Sequence, residues 1–185
     1  MQNEASTNEE SFIDISKIIN ILQVEQGMKI ADLGCGHTGH FLFPFAKLVG
    51  EKGLVYGVDV LKPALQNIEN KAKFDGLTNV RTVWSNLEIF GATKIDNESV
   101  DAIIIINILY QVKDRKVFLK EADRILKKGG KAIIVDWLSI NAPMGPDLSL
   151  RVKKEEVLAL AEEVGWKKAE EFSVGKYNFG IKFEK

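Results

Sequence analysis

Apolar residues along the chain form two kinds of pattern, stretches at helical spacing and short unbroken runs. The first helical stretch has its apolar residues at Phe12, Ile15, Ile18, Ile19 and Leu22. Intervals of three and four residues predict an amphipathic helix that begins near residue 11. Residues 1–10 are polar and acidic, so we expect a flexible tail there and one folded domain over residues 11–185.

Five short apolar runs are bounded by glycine or other turn residues, which is typical of buried strands. The predicted strands are Lys29–Leu33, Leu54–Asp59, Val80–Trp84, Val100–Ile106 and Lys131–Asp136. The fourth is β-branched almost throughout. This composition favours a central strand that is covered on both faces.

Helical patterns separate these strands. Pro63 suits the first turn of a helix that continues to Gly76. Asp114 can cap a helix that ends at Gly129-Gly130, and residues 155–164 form a further helical pattern. Because strands and helices alternate, we expect a parallel, doubly wound sheet.

The last two predicted strands have no helical pattern between them. They are Phe172–Val174 and Asn178–Phe183, and Gly175 marks a turn between them. Two strands joined in this way are expected to pair as an antiparallel hairpin. The hairpin therefore adds one antiparallel strand to the sheet.

Composition restricts the class of protein. The chain has 185 residues, 45% of them hydrophobic, which is enough for one core but too little for two ordinary domains. Its 25 Lys and Arg residues nearly balance 26 Asp and Glu residues, giving a net charge of −1. That balance argues against a nucleic-acid binder and against polybasic membrane attachment.

The remaining composition bears on compartment and metal binding. The single cysteine, Cys35, excludes an intrachain disulfide, and with only two histidines in the chain no metal site is expected. No apolar run approaches the roughly 20 residues that cross a bilayer, and the N-terminus lacks signal-peptide features. We therefore expect a cytoplasmic protein. Since no apolar stripe is evident beyond the core faces, we also expect a monomer or a weak homodimer.

A glycine-rich loop follows the first predicted strand. It contains Gly34, Gly36 and Gly39 and is preceded by Asp32. Glycines allow the backbone to turn tightly beside a ligand, and the following helix N-terminus supplies N–H donors. Asp59, twenty residues after Gly39, ends the second strand and can accept both hydroxyls of a ribose. The pattern predicts a site for a nucleoside-containing cofactor.

The same glycines also satisfy the GxGxxG pattern of dinucleotide-binding proteins. An NAD(P)-dependent reductase is therefore an alternative, as is a non-catalytic protein that keeps the cofactor pocket. Asp32 would repel a pyrophosphate but attract an ammonium or sulfonium group. Tyr110 is followed by Lys113, one residue too early for the Tyr-x-x-x-Lys pair of short-chain reductases.

With these motifs, the sequence resembles the class I S-adenosylmethionine-dependent methyltransferases from about Gly27 to the C-terminus. ADLGCGHTGH resembles the first motif of that family, and YGVDV resembles its ribose-binding strand. SVDAIIIINILYQV and LKKGGKAIIVDW resemble the motifs of the fourth and fifth strands. The segment MGPDLSLRVKKEEVLALAEEVGW is similar to small bacterial and archaeal members related to ubiquinone/menaquinone C-methyltransferases.

The resemblance implies a fold and an activity. The fold is an α/β, Rossmann-like, doubly wound sheet of seven strands in the order 3-2-1-4-5-7-6, with strand 7 antiparallel. The activity is transfer of a methyl group from S-adenosylmethionine to a small-molecule acceptor by in-line displacement. Such an enzyme mainly aligns the acceptor and excludes water, so no obligatory catalytic dyad is expected.

The resemblance also assigns cofactor positions in the glycine loop and after the second strand. The backbone of Gly34, Cys35 and Gly36 would pass the methionine part of the cofactor, and Asp32 would lie near its amino group. Asp59 would hold the ribose hydroxyls. Val60, the next residue, would lie against the adenine.

Three further cofactor positions follow the third and fourth strands. Asn86 stands where the family often has aspartate, and its amide oxygen can accept a hydrogen bond from the adenine amino group. Leu87 follows it in the same pocket. Asn107 would close the pocket at the end of the fourth strand.

Candidates to face the acceptor come from the carboxyl ends of the fourth and fifth strands, where ligands of such sheets bind. They are Tyr110, Asp136 and Trp137. Tyr110 can equally be a wall of the pocket, and Asp136 and Trp137 can instead cap a loop. The segment from Leu138 to Arg151 resembles the loop that covers the substrate in this family.

Overall fold

The computed structural model describes residues 13–185, so the predicted tail over residues 1–10 lies outside the described part. The helices are α1 (Ile15–Leu22), α2 (Leu42–Val49), α3 (Lys62–Phe74), α4 (Arg115–Ile125) and α5 (Lys154–Glu163). The strands are β1 (Lys29–Leu33), β2 (Leu54–Asp59), β3 (Val80–Trp84), β4 (Val100–Ile106), β5 (Leu126–Trp137), β6 (Lys167–Ser173) and β7 (Asn178–Glu184).

The seven strands form one sheet in the order β3-β2-β1-β4-β5-β7-β6. The first five strands pair in parallel, whereas β7 pairs antiparallel with both β5 and β6. This topology confirms the predicted strand order and the predicted antiparallel seventh strand.

Helices cover both faces of the sheet, because its central strand is apolar on both sides. Ile103 and Ile105 of β4 pack in a core with α4 and α5. Ile104 and Ile106 pack in a second core with α1, α2 and α3. Alternate side chains of a strand point to opposite faces, so a continuous apolar run anchors both layers. Within residues 13–185, no helix combines the length and apolarity needed to cross a membrane.

The boundary between α4 and β5 differs from the prediction. The helix ends at Ile125 instead of at the glycine pair, and β5 begins at Leu126. Leu126 pairs with Val100, and the next pairing joins Lys131 to Ala102, so residues 127–130 bulge out of register. The bulge is held by backbone bonds of 2.9 and 3.0 Å between Lys185 and the glycine pair. Long-range pairing therefore ends the helix earlier than its local sequence suggests.

The first strand of the terminal hairpin is longer than predicted. It spans Lys167–Ser173 rather than Phe172–Val174. All its side chains except Phe172 are exposed, because β6 is an edge strand with little cover on either face. It therefore lacks the alternating pattern by which strands are recognised, and its charged side chains are typical of a protected sheet edge.

A buried ion pair fixes the segment between β3 and β4. The Glu121 carboxylate is fully buried and accepts hydrogen bonds from the N–H groups of Gly91 (2.7 Å) and Thr93 (2.9 Å). It also accepts two bonds from Arg124, at 2.9 and 2.8 Å. Burial alone would raise the pKa of Glu121, but the bonds from Arg124, Gly91 and Thr93 outweigh it and hold the pKa at about 2.

We expect Glu121→Gln to lower the free energy of unfolding at pH 7 by about 3 kcal/mol, because Arg124 loses its buried partner. The pKa of Glu121 lies below its ordinary value of 4.5, so its contribution is complete above that pH and is lost as the pH falls towards 2. Urea unfolding at pH 7 and pH 3 measures both effects.

Glu162→Gln is the matched control, since it removes the same charge from an exposed position of α5. Its effect should stay within about 0.5 kcal/mol. If the difference between wild type and Glu121→Gln were as large at pH 3 as at pH 7, the ionised pair would not be its source.

Candidate functional site

The candidate site lies where the winding of the sheet reverses. Chain connections from β1 and β4 lead to opposite sides, so their carboxyl ends border an open crevice. A cavity of about 190 Å³ opens there, between the glycine loop and the segments that follow β2, β3 and β4. Five predicted cofactor residues line it together: Gly34, Asp59, Val60, Asn86 and Leu87.

The glycine loop needs glycine for two different reasons. Gly34 has a φ of +87° and Gly39 a φ of +58°, values that side chains disfavour. A β-carbon on Gly34 would lie 2.8 Å from Ile108, and one on Gly39 would lie 2.5 Å from Ile68. The loop is bound to the end of β2 through the Gly34 N–H, which donates to the Val58 carbonyl at 2.8 Å. The backbone is thus the surface that the loop offers to a ligand.

Asp59 connects the glycine loop to the start of α3. Its Oδ2 accepts from the Gly36 N–H at 3.0 Å, and its Oδ1 accepts from the Leu61 N–H at 2.9 Å. Each carboxylate oxygen has a second lone pair, so these bonds leave capacity for ligand hydroxyls. The position fits the ribose-binding role that the sequence suggests.

Asp32 carries an unsatisfied buried atom. The residue is only 3% exposed, and its Oδ2 has no hydrogen-bond partner among the described residues. Burial, with a further contribution from the charge of Asp59, raises the pKa of Asp32 to about 8. Most buried polar atoms are paired, so an orphaned carboxylate oxygen beside a ligand loop fits a cationic ligand group.

Cys35 is the packing residue of the loop. Its side chain is buried beneath the loop, and a β-carbon on Gly57 would come within 3.1 Å of Sγ. Burial, and then the charges of Asp32 and Asp59, raise the pKa of the thiol well above its ordinary range. The thiol is therefore neutral. Across residues 13–185, no group of three or more His, Cys, Asp or Glu side chains is arranged to hold a metal ion.

The far wall of the cavity follows β3. Asn86 is exposed, and its Oδ1 accepts from the Glu88 N–H at 2.9 Å, which tightens the turn. Leu87 is buried, whereas Val60 is 53% exposed. The Val60 carbonyl accepts from the indole of Trp84 at 2.9 Å. The lining of the cavity thus includes both apolar surface and an amide.

Asn107 is held by a residue that the sequence analysis missed. It has a φ of +53°, and its N–H donates to the Val135 carbonyl at 2.9 Å. Its Oδ1 accepts from Nδ2 of Asn178 at 2.8 Å, and Asn178 is 3% exposed at the start of β7. Only the tertiary pairing of β5 with β7 brings the two amides together, so no local signal identifies Asn178.

Asp136 does not face the crevice, contrary to the expectation that it contacts the acceptor. Its carboxylate is fully buried and accepts from the N–H groups of Leu109 (3.1 Å) and Trp137 (2.8 Å). Burial raises its pKa to about 6 against the lowering effect of these bonds. The loop-cap alternative describes it, because Asp136 fixes the turn that carries Tyr110.

Tyr110 and Trp137 are both half-buried. Tyr110 lies in a single 3-10 turn, Leu109–Gln111. Trp137 supports the segment that follows β5, since a β-carbon on Gly145 would lie 2.8 Å from its ring. Arg151, which the sequence analysis noted only as the end of this segment, places its guanidinium carbon 5.3 Å from the centre of that ring.

Comparison with known proteins agrees with this geometry. The family model described as "Methyltransferase domain" matches residues 24–170. Human arsenite methyltransferase is 29% identical over 74% of this chain and 40% of its own length. A demethylmenaquinone methyltransferase from a Geobacillus species is 33% identical over 62% of this chain and 47% of its own length. The chain thus spans about half the length of the curated relatives it matches.

A solved structure gives the same result at the level of fold. The structure of a SAM-dependent methyltransferase from Aquifex aeolicus matches with a TM-score of 0.84 and 27% identity. The match covers 92% of this chain and 89% of that one. The family model and the strand order agree, and the chain belongs to the class I S-adenosylmethionine-dependent methyltransferases, a family of enzymes.

Proposed function

We propose that this protein transfers a methyl group from S-adenosylmethionine to a small-molecule acceptor. The orphaned Oδ2 of Asp32 carries the proposal: Asp32 lies near the end of β1, and Asp59 ends the neighbouring strand β2. The two carboxylates suit a ligand that has a cationic amino-acid end and a ribose. A dinucleotide would instead bring its pyrophosphate towards them, where like charges repel.

Different residues of the crevice would contact different parts of the cofactor. Asp32 would lie near its amino group, and the backbone of Gly34, Cys35 and Gly36 would pass its methionine part. Asp59 would hold the ribose. Its adenine would lie between the walls formed by Val60, Asn86 and Leu87, and Asn107 would close the pocket.

When bound, the cofactor supplies an electrophilic methyl group on sulfur. The chain then has to orient the acceptor and exclude water, which requires no acid–base pair. Tyr110 and Trp137 are the residues that we propose to contact the acceptor. Asp136 acts indirectly, by holding the turn on which Tyr110 lies.

The single cysteine and the net charge of the chain narrow the class of acceptor. Cys35 is the only cysteine of the chain, and it is buried and neutral. Soft centres such as trivalent arsenic are bound by thiolates, so the chain lacks the ligands for an arsenite acceptor. The net charge of −1 likewise disfavours a nucleic acid. We therefore propose an organic small molecule.

Thermal unfolding with S-adenosylmethionine, S-adenosylhomocysteine, NAD and NADP, each added separately, tests the proposal. A ligand at about 100 times its Kd adds about 2.7 kcal/mol, which is a shift of several degrees. We expect a shift with the two adenosyl ligands and its loss in Asp59→Ala, because the ribose acceptors and the bonds to the loop are removed.

Asp75→Ala is the matched control, since it removes an exposed carboxylate at the end of α3 and should leave the ligand shift intact. A shift with NAD or NADP alone would refute the proposal. Equal ligand shifts in wild type and Asp59→Ala would remove Asp59 from the site.

The raised pKa of Asp32 predicts that ligand binding is linked to the release of a proton. With a pKa of about 8 it is mostly protonated at pH 7, and a ligand ammonium favours its ionised form. Binding of S-adenosylhomocysteine at pH 7 should therefore release close to one proton, and affinity should fall as the pH is lowered. Calorimetry in phosphate and in Tris measures the release, because the two buffers differ in ionisation enthalpy.

Two controls isolate the carboxylate. Methylthioadenosine lacks the amino-acid end and should bind without buffer-dependent heat. Asp32→Asn should bind S-adenosylhomocysteine about tenfold more weakly, and this binding should also lack buffer-dependent heat. Buffer-dependent heat that persisted in Asp32→Asn would assign the proton to another group.

Asp32 also affects stability in the absence of ligand. Because its pKa is raised to about 8, the free energy of unfolding should fall as the pH rises towards 8. Asp32→Asn should therefore be more stable than wild type at pH 9, as measured by urea unfolding.

A further inference from the structure

The segment of residues 138–150 follows the carboxyl end of β5, the strand next to β4 in the sheet, and contains no α-helix or strand. It connects β5 to α5, and its one ordered element is a short 3-10 turn, Leu148–Leu150. Leu138 packs against the core, but the other large apolar side chains pack little: Ile140, Met144, Leu148 and Leu150 are 46%, 45%, 47% and 50% exposed. Side-chain burial is therefore a weak constraint on this segment.

A single side chain binds the segment along its length. Two bonds from Nη1 of Arg151 reach the carbonyls of Leu138 (2.8 Å) and Ile140 (2.6 Å). Nε donates to the Pro146 carbonyl at 3.0 Å, and Nη2 approaches the Met144 carbonyl at 3.5 Å. Arg151 thereby joins the beginning, the middle and the end of the segment.

Trp137 is the platform for this arrangement. The Arg151 guanidinium lies over its ring, and Gly145 packs so closely against the ring that a β-carbon would approach to 2.8 Å. Cation–π contact favours this placement of an arginine. The segment is thus held against the end of β5, beside the crevice.

The burial of the Arg151 charge indicates that this residue does more than fill space. The residue is 8% exposed, yet within residues 13–185 no carboxylate lies within 4.0 Å of its guanidinium. Burial of a cation without a counter-charge is unfavourable, so an apolar side chain would fill the space at lower cost. The guanidinium has five donors on three nitrogens and can bind carbonyls that lie apart, whereas a lysine has three donors on one nitrogen and an apolar side chain has none.

We propose that Arg151 is a positioning residue that holds residues 138–150 in one conformation before an acceptor binds, as a preformed wall of the acceptor site. The assignment of this wall to the acceptor rests on the proposed function. The hold on the segment rests on the Arg151 contacts alone. Loss of the guanidinium should therefore loosen the wall and leave the cofactor crevice intact.

Hydrogen exchange followed by mass spectrometry tests the hold of Arg151 on the segment, on wild type, Arg151→Lys and Arg151→Met. We expect exchange over residues 139–150 to rise about tenfold or more in both variants, with the core strands unchanged. Lysine should fail to rescue, because it keeps the charge but loses the planar fork. Affinity for S-adenosylhomocysteine should stay within about twofold of wild type.

A spectroscopic signature separates positioning from general stability. The chain has three tryptophans, so 5-fluorotryptophan gives three fluorine resonances, and the one lost in Trp137→Phe belongs to Trp137. We expect Arg151→Lys to shift or broaden that resonance and to leave those of Trp84 and Trp166 in place. Lys52→Met is the matched control, as it removes an exposed cation from the turn before β2 and should change neither readout.

The outcomes are distinct. Unchanged exchange over 139–150 in Arg151→Lys, or an equal rise throughout the protein, would overturn the proposal. A fall in affinity for S-adenosylhomocysteine parallel to the rise in exchange would place Arg151 in the cofactor site instead. If the wild type failed to bind S-adenosylhomocysteine, the proposed function would fail, while the exchange comparison would still decide the role of Arg151.

Discussion

The reversal of winding between β1 and β4 determines where the candidate site of this protein lies. Two neighbouring parallel strands whose connections leave on opposite faces cannot both be covered at their carboxyl ends. The crevice is therefore a consequence of topology. Topology in turn depends on the double-sided burial of β4, whose four consecutive isoleucines anchor a helical layer on each face.

The loops around this crevice are held in the same way. In each, a charged side chain at the margin of the core forms hydrogen bonds with backbone groups of the loop. The residues are Asp59 for the glycine loop, Glu121 for the segment after β3, Asp136 for the turn after β4 and Arg151 for residues 138–150. Asp32 is the exception, because its Oδ2 binds nothing among the described residues. Asp32 Oδ2 therefore lacks the backbone bonds that the other charged groups make, which supports its proposed contact with a cationic ligand group.

The sequence predicts those parts of the fold that depend on local pattern. The strands Lys29–Leu33, Leu54–Asp59, Val80–Trp84 and Val100–Ile106 have the predicted bounds, since each combines an apolar run with a turn signal. The predicted start of β5 at Lys131 was wrong: the strand begins at Leu126, because of its pairing with Val100 and the backbone bonds to Lys185. The predicted start of β6 at Phe172 was also wrong, because an exposed edge strand carries no periodic signal.

In the candidate site, too, the residues with a local sequence pattern are the predictable ones. The glycine loop and Asp59 follow two apolar runs that are close in the sequence and form adjacent strands, so both could be predicted. Asn178 meets Asn107 across β5, and Arg151 binds carbonyls up to 13 residues away, so neither has a local signature. Asp136 shows the opposite case, in which position at a strand end suggests the crevice but the side chain turns into the core.

The buried thiol of Cys35 has a practical consequence for study of the glycine loop. A thiol that is neutral and enclosed cannot react with an alkylating reagent until the loop opens, since the thiolate is the reactive form. As the sole cysteine, it gives one labelling event per molecule and needs no engineered probe. The rate of labelling under native conditions therefore reports how often the glycine loop separates from β2 and the crevice opens.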